Sequence, residues 1–322
     1  MNKKLIKFIK IFLFNIIAIG ILWVLSDICL YITSLKMDDE LSITNLKKFY
    51  KKPLSHIYII EYFFDIKNNI EENFFLARKP DGIVYKTSPI LLFGCSYAYG
   101  LFLNYNQTFS YKLANQIKRP VYNRAIPGFG LQQMHYQTTT DEFYKSVPKC
   151  DTVISVIISD HFRRMLGEPF HIYDAYLLLH YKYKDDHFIM DNYDKPLVIF
   201  YKHNYTLRAI RKIYNYYYLH NPKNFDKITD EALAYFIKTR ENLENHWHNK
   251  IKFVVFFYRP YMYEDILMKK LRNNNFYAIS SKDLTPENLF NSTFIDHEHP
   301  NEAAWDLLTP LFVEKMKQEK VF

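Results

Sequence analysis

The chain has 322 residues, 49% of them hydrophobic, enough for one large domain with accessory segments around a buried core. Its formal net charge is +8, but Lys3, Lys4, Lys7 and Lys10 carry four of these, leaving a dispersed surplus that excludes a nucleic-acid surface. Three cysteines exclude a disulfide framework, and no Gly-x-x-x-x-Gly-Lys segment is present to cradle a phosphate.

Residues 1–35 read as a cytoplasmic tip and a membrane anchor. Residues 11–32 are an almost unbroken apolar run of 22, long enough to cross a bilayer. The four lysines precede it, which predicts a cytoplasmic N-terminus and a single-pass protein with its main domain extracytoplasmic. No small-residue cleavage pattern follows, so the run is expected to stay as an uncleaved signal anchor. Asp27 is its one costly residue, tolerable near the outer headgroups.

Residues 36–88 are charged at first, then mixed Lys, Asn and aromatic, and read as a stalk or accessory segment. An α/β pattern fills 89–322. Strands are expected at 89–95, 120–125, 152–158, 251–257 and 276–280. Helices are expected near 107–117, 130–145, 205–219, 262–273 and 301–318. Another helix is expected from a Thr229-Asp230-Glu231 cap to about 247. Strands alternating with helices imply a parallel sheet covered on both faces. Residues 166–228 read as an insertion in that domain. It contains Tyr214-Asn215-Tyr216-Tyr217-Tyr218. With 28 Tyr and 27 Phe in the whole chain, that cluster reads as helix packing rather than a sugar platform.

Two stretches carry chemistry. The apolar run Pro89-Ile90-Leu91-Leu92-Phe93 ends in Gly94-Cys95-Ser96, which reads as a buried strand entering a tight turn with Ser96 just past its carboxyl end. Near the C-terminus, Asp296-His297-Glu298-His299-Pro300 places a carboxylate three residues before an imidazole. The carboxylate can hold Nδ1–H, leaving Nε2 to take a serine proton. The same four polar residues are metal-ligating types, but no further ligand group accompanies them, so no metal is expected.

Together these features resemble the SGNH hydrolases, the GDSL esterase/lipase superfamily, over about residues 85–318. The family has a G-D-S block after its first strand, matched here by Gly94-Cys95-Ser96 with Cys95 in place of Asp. It has a glycine block after the second strand, matched by Val121 to Gly128. It ends in D-x-x-H, matched by Asp296 and His299. The resemblance implies a three-layer, flavodoxin-like fold preceded by the transmembrane helix, with Ser96, Asp296 and His299 as a catalytic triad. It also implies oxyanion donation by the Ser96 and Gly128 N–H groups, and no cofactor. Cys95 is assigned to packing.

The third block departs from the family, which ends that strand with Asn-Asp and uses the Asn as an oxyanion donor. Here the strand runs into Ser159-Asp160-His161-Phe162-Arg163-Arg164. His161 is a candidate replacement donor, and Asp160 a poorer one because its ionised form repels an oxyanion. Arg163 is a candidate for holding an anionic substrate group, and Arg164 reads as surface charge. The expected activity is hydrolysis of O-acyl esters, acetyl among them, on envelope glycans or small esters, at a bacterial inner membrane. The alternatives are O-acyl transfer to an envelope polysaccharide, or a degenerate site retired to assembly or carbohydrate binding.

Overall fold

A computed structural model describes residues 20–26, 29, 87–101, 103–166, 181–184, 187–190, 205–258, 261–285 and 299–322. The chain divides into two compact units, one of residues 1–56 and 192–214, the other of 57–191 and 215–322. In the first unit the described residues are helical, and Ile21, Leu22, Val24, Leu25, Ile210 and Ile213 are exposed. Among the described residues, no helix is long and apolar enough to cross a membrane. Most of the apolar run at 11–32 lies outside them.

The second unit is built on five parallel strands: β1 (Ile90–Phe93), β2 (Val121–Asn123), β3 (Thr152–Ile157), β6 (Lys252–Phe257) and β7 (Tyr277–Ser280), in the order β2-β1-β3-β6-β7. Ile90 pairs with Val121 on one side and Thr152 on the other, and Thr152 pairs in turn with Lys252. An antiparallel pair, β4 (Tyr181–Lys184) and β5 (His187–Met190), stands apart from this sheet.

Alternate residues of each strand point to opposite faces, and each face has its own apolar core. Leu91, Phe93, Val153, Ile157, Phe253 and Val255 join one cluster. It is completed by α3 (Leu131–Gln137), α7 (Phe225–Trp247) and α8 (Glu264–Asn273). Ile90, Leu92, Ile154, Val156, Val254 and Phe256 join the other. There Phe109 and Leu113 of α2 (Phe109–Ile117) meet Trp305, Leu308 and Phe312 of α9 (Glu302–Gln318). The result is the expected three layers, with strands buried on both faces and apolar at most positions, Thr152, Ser155 and Asn123 being buried polar exceptions.

Several boundaries differ from expectation. The helix expected over 130–145 is two helices, α3 and α4 (Asp141–Ser146). The hydroxyls of Thr138, Thr139 and Thr140 each donate to the carbonyl three residues back, which closes α3 instead of continuing it. Helix α7 starts at Phe225 rather than near Thr229, whose hydroxyl donates back to the Phe225 carbonyl at 2.7 Å. Helix α9, by contrast, covers the expected segment, with Pro310 on its exposed side. Helix α6 (Tyr205–His220) divides the tyrosine cluster: Tyr214, Tyr216 and Tyr217 are exposed, whereas Tyr218 is half-buried against the core and Asn215 and Leu219 are buried.

Candidate active site

Chain order makes a crevice at the carboxyl ends of β1 and β3. From β1 the chain steps to β2 on one side and then returns to β3 on the other, so the connections leave these two strand ends in opposite directions. Open α/β sheets bind ligands at such a switch point.

Ser96 stands at this point. Strand β1 is fully buried, and Gly94 follows with φ +155°. A Cβ on Gly94 would lie 2.6 Å from the Ala98 Cβ and 3.0 Å from the Val156 carbonyl oxygen. Only glycine lets the chain turn this closely against β3. Ser96 opens a one-turn helix, α1 (Ser96–Tyr99), which Gly100 ends at φ +76°. Cys95 is buried at the cap position, with a packing environment.

His299 comes from the other end of the chain. Its Nε2 lies 2.9 Å from Ser96 Oγ, across 203 residues of sequence. The ring of Tyr97 packs on it, with centroids 4.9 Å apart and planes tilted by 39°. Just beyond, Asn301 caps α9 by accepting the Ala304 N–H at 3.0 Å. Glu302 then accepts hydrogen bonds from Gln107 at 2.7 Å and Lys112 at 3.4 Å. These contacts dock the start of α9 on α2 and the short turn before it, so the segment bearing His299 has a fixed root. Asp296, His297 and Glu298 lie outside the described residues.

The glycine block lies alongside. Ile126-Pro127-Gly128-Phe129 is a turn closed by the Phe129 N–H donating to the Ile126 carbonyl at 3.1 Å. Proline in second place and Gly128 in third, at φ +82°, give it the pattern of a type II turn. Its stem is stitched to the serine turn: the Ile126 N–H donates to the Gly94 carbonyl at 3.2 Å and the Arg124 N–H to the Leu92 carbonyl at 2.7 Å. Asn123, which the sequence reading left without a role, is buried between them. Its Nδ2 donates to the Ala98 carbonyl at 2.8 Å and to Ser110 Oγ at 3.2 Å, while Oδ1 accepts the Ala125 N–H at 3.0 Å. An asparagine at the end of a buried strand was the available signal, since a buried amide needs partners on every side.

The third block turns inward. Helix α5 (Asp160–Met165) follows β3, and His161 is 2% exposed. The Ile158 N–H donates to His161 Nδ1 at 2.9 Å, and the ring also hydrogen-bonds the Phe129 backbone. Burial, and secondarily the Arg164 charge, hold its pKa well below the ordinary imidazole value, so the ring is neutral. In this arrangement His161 braces the strand end against the glycine loop, with its ring committed to backbone groups. Asp160 is paired with Arg163 at 3.0 Å and faces Arg164 at 3.6 Å. Arg163 is thus occupied by a carboxylate of its own helix. Arg164 departs from the surface reading: it is 6% exposed, and its Nη1 donates to the Phe129 carbonyl at 2.7 Å. Its own carbonyl accepts from Gln132 at 2.8 Å. Among the described residues no group of three or more His, Cys, Asp or Glu is arranged to hold a metal ion.

Fold and site together define a class: a parallel α/β protein with a serine–imidazole pair at its topological switch point. No protein-family model and no curated protein matches the chain. Among solved structures it is similar to a G-D-S-L family protein from Desulfitobacterium hafniense DCB-2, at 11% identity and TM-score 0.42, over 71% of this chain and 99% of that one. It is similar to a lipolytic G-D-S-L family member from Veillonella parvula DSM 2008, at 11% identity and TM-score 0.41, over 71% of this chain and 97% of that one. An acetyl xylan esterase from the rumen bacterium Butyrivibrio proteoclasticus matches at 9% identity and TM-score 0.43, over 74% of this chain and 66% of that one.

Proposed function

We propose that this protein is a serine-dependent ester hydrolase that removes O-acyl groups, acetyl among them, from cell-envelope glycans. The carrying observation is the 2.9 Å contact of His299 Nε2 with Ser96 Oγ, the spacing of a general base and its nucleophile. Ser96 Oγ attacks the ester carbonyl as its proton passes to Nε2. The alcohol leaves with that proton, and water then repeats the sequence on the acyl-enzyme. Asp296 would orient the imidazole from three residues upstream. The Ser96 and Gly128 N–H groups make no hydrogen bond to another described residue, which suits them to receive the oxyanion.

The envelope assignment draws on the lysine-flanked apolar run at 11–32. As a signal anchor in a bacterial inner membrane, it would hold an extracytoplasmic site beside such polymers. With a sugar hydroxyl in place of water, the same residues would transfer the acyl group. The third block, with no Asn and with His161 committed to the backbone, favours the remaining reading, a site that binds without turnover.

A fluorophosphonate probe and a small aryl acetate test this with the full-length protein. Labelling and turnover that both vanish in Ser96→Ala are expected. An unlabelled wild-type protein, or undiminished turnover in the variant, overturns the reading. Product analysis with an added glycan acceptor divides hydrolysis from transfer. An active alkaline phosphatase fused at the C-terminus would place the domain outside the cytoplasm.

A further inference from the structure

The rings around His299 form a connected set. Tyr97, next to Ser96 in the chain, packs its ring on His299 with centroids 4.9 Å apart. Tyr97 is itself held by the edge of Tyr258, at 5.3 Å and 66°. Tyr258 follows β6, is fully buried, and packs on Trp305 at 5.1 Å. Trp305 belongs to α9, the helix that begins three residues after His299, and it is also fully buried. The chain of rings therefore starts at the imidazole and returns to the helix that roots it. Tyr97 has little freedom to move, being 6% exposed between these neighbours.

We infer that Tyr97 is a positioning residue for the reaction, whose ring steadies the imidazolium that His299 becomes on taking the Ser96 proton. This rests on the esterase reading above. When the Ser96 O–H bond breaks and Oγ bonds to the carbonyl carbon, the proton and its positive charge arrive together on the His299 ring. A ring centroid 4.9 Å away lies within the reach at which an aromatic quadrupole attracts a cation. A neutral imidazole gains much less from such a quadrupole. The contact therefore strengthens as the transition state forms, which is the condition for raising kcat.

The test replaces Tyr97 in the full-length protein by Phe, by progressively fluorinated Phe, and by Leu. Fluorination drains the ring quadrupole at nearly constant shape. The readouts are the rate of fluorophosphonate labelling at Ser96, kcat and KM for an aryl acetate, and thermal stability. Tyr97→Leu is expected to lower kcat and labelling roughly 3- to 30-fold with KM little changed, and Phe to restore most of the loss. The fluorinated series is expected to fall steadily between them at constant stability. A series that is flat while the wild-type protein labels and turns over would show a merely packing ring and overturn the inference alone. A wild-type protein that never labels would overturn the esterase reading, and this inference with it.

Discussion

The carboxyl ends of β1 and β3 are built alike and end differently. Each strand is buried, each runs into a helix of no more than six residues, and the two lie side by side in the sheet. After β1, the turn presents Ser96 to an imidazole 203 residues away. After β3, His161 and Arg164 fold back on the main chain at Ile158 and Phe129. The difference lies in the kind of partner each meets. His161 and Arg164 are held by main-chain groups, at Ile158 in their own turn and at Phe129 in the glycine loop, and a polar side chain so satisfied is a brace. Ser96 meets a side chain delivered by a distant element, and such a pair is free to react.

Removing Ser96 should break this contrast at its active end. Ser96→Ala is expected to lower aryl acetate turnover by at least about 10³-fold, with an unfolding midpoint close to wild type. Gly94→Ala tests the turn that makes the presentation possible. Strain at positive φ and the clash with Ala98 and Val156 should together cost about 3–5 kcal/mol in urea unfolding, with activity lost in parallel.

Acid should weaken the braced end. His161 is held well below its usual pKa by burial and then by Arg164. His135, on the helix packed against α5, is pushed down to about 4 by burial and then by the Lys238 charge. Both rings are neutral when folded, whereas the unfolded chain takes up the proton near its ordinary value. Their stabilisation is therefore complete above about pH 6.5 and is lost as pH falls toward the folded values. For His135, a shift from 6.5 to about 4 corresponds to roughly 3 kcal/mol of stability, measurable as a falling urea midpoint between pH 7 and pH 4.

His161→Ala sharpens the contrast most finely. Leaving the Ile158 N–H unsatisfied should cost about 1–3 kcal/mol of stability, while kcat stays within about threefold of wild type. Loss of an oxyanion donor would instead lower kcat by about 10²–10³. A loss of that size would return His161 to the catalytic site.

Much of this was legible in the sequence for a physical reason. The apolar run of β1 and the mostly apolar runs of β3 and β6 call for burial between two layers of helices. The Gly94-Cys95-Ser96 turn needs glycine for local steric reasons, and His299 beside a helix-capping Asn301 is a local signal too. Part of the rest depends on distant partners. Nothing in Arg163-Arg164 tells that one guanidinium finds the Phe129 carbonyl and is buried, since that acceptor lies 35 residues away. The Thr138-Thr139-Thr140 run did carry a stop signal, and three consecutive hydroxyls able to bond back to the main chain outweighed the apolar period. The pair β4 and β5 was also readable, as two short runs around Asp185-Asp186. The tyrosines of α6 split the helix-packing expectation: Tyr214, Tyr216 and Tyr217 are exposed, and Tyr218 packs on the core beside the buried Asn215 and Leu219.

The Asn123 side chain has a consequence for how the molecule breathes. One amide is bonded at once to the turn bearing Ser96, to α2 and to the stem of the Gly128 loop. None of the three can loosen without stranding a buried hydrogen-bonding group. The main-chain hydrogens of Gly100, Arg124, Ala125 and Ile126 should therefore exchange with solvent through a single shared opening, although a stretch of more than twenty residues separates the first from the others.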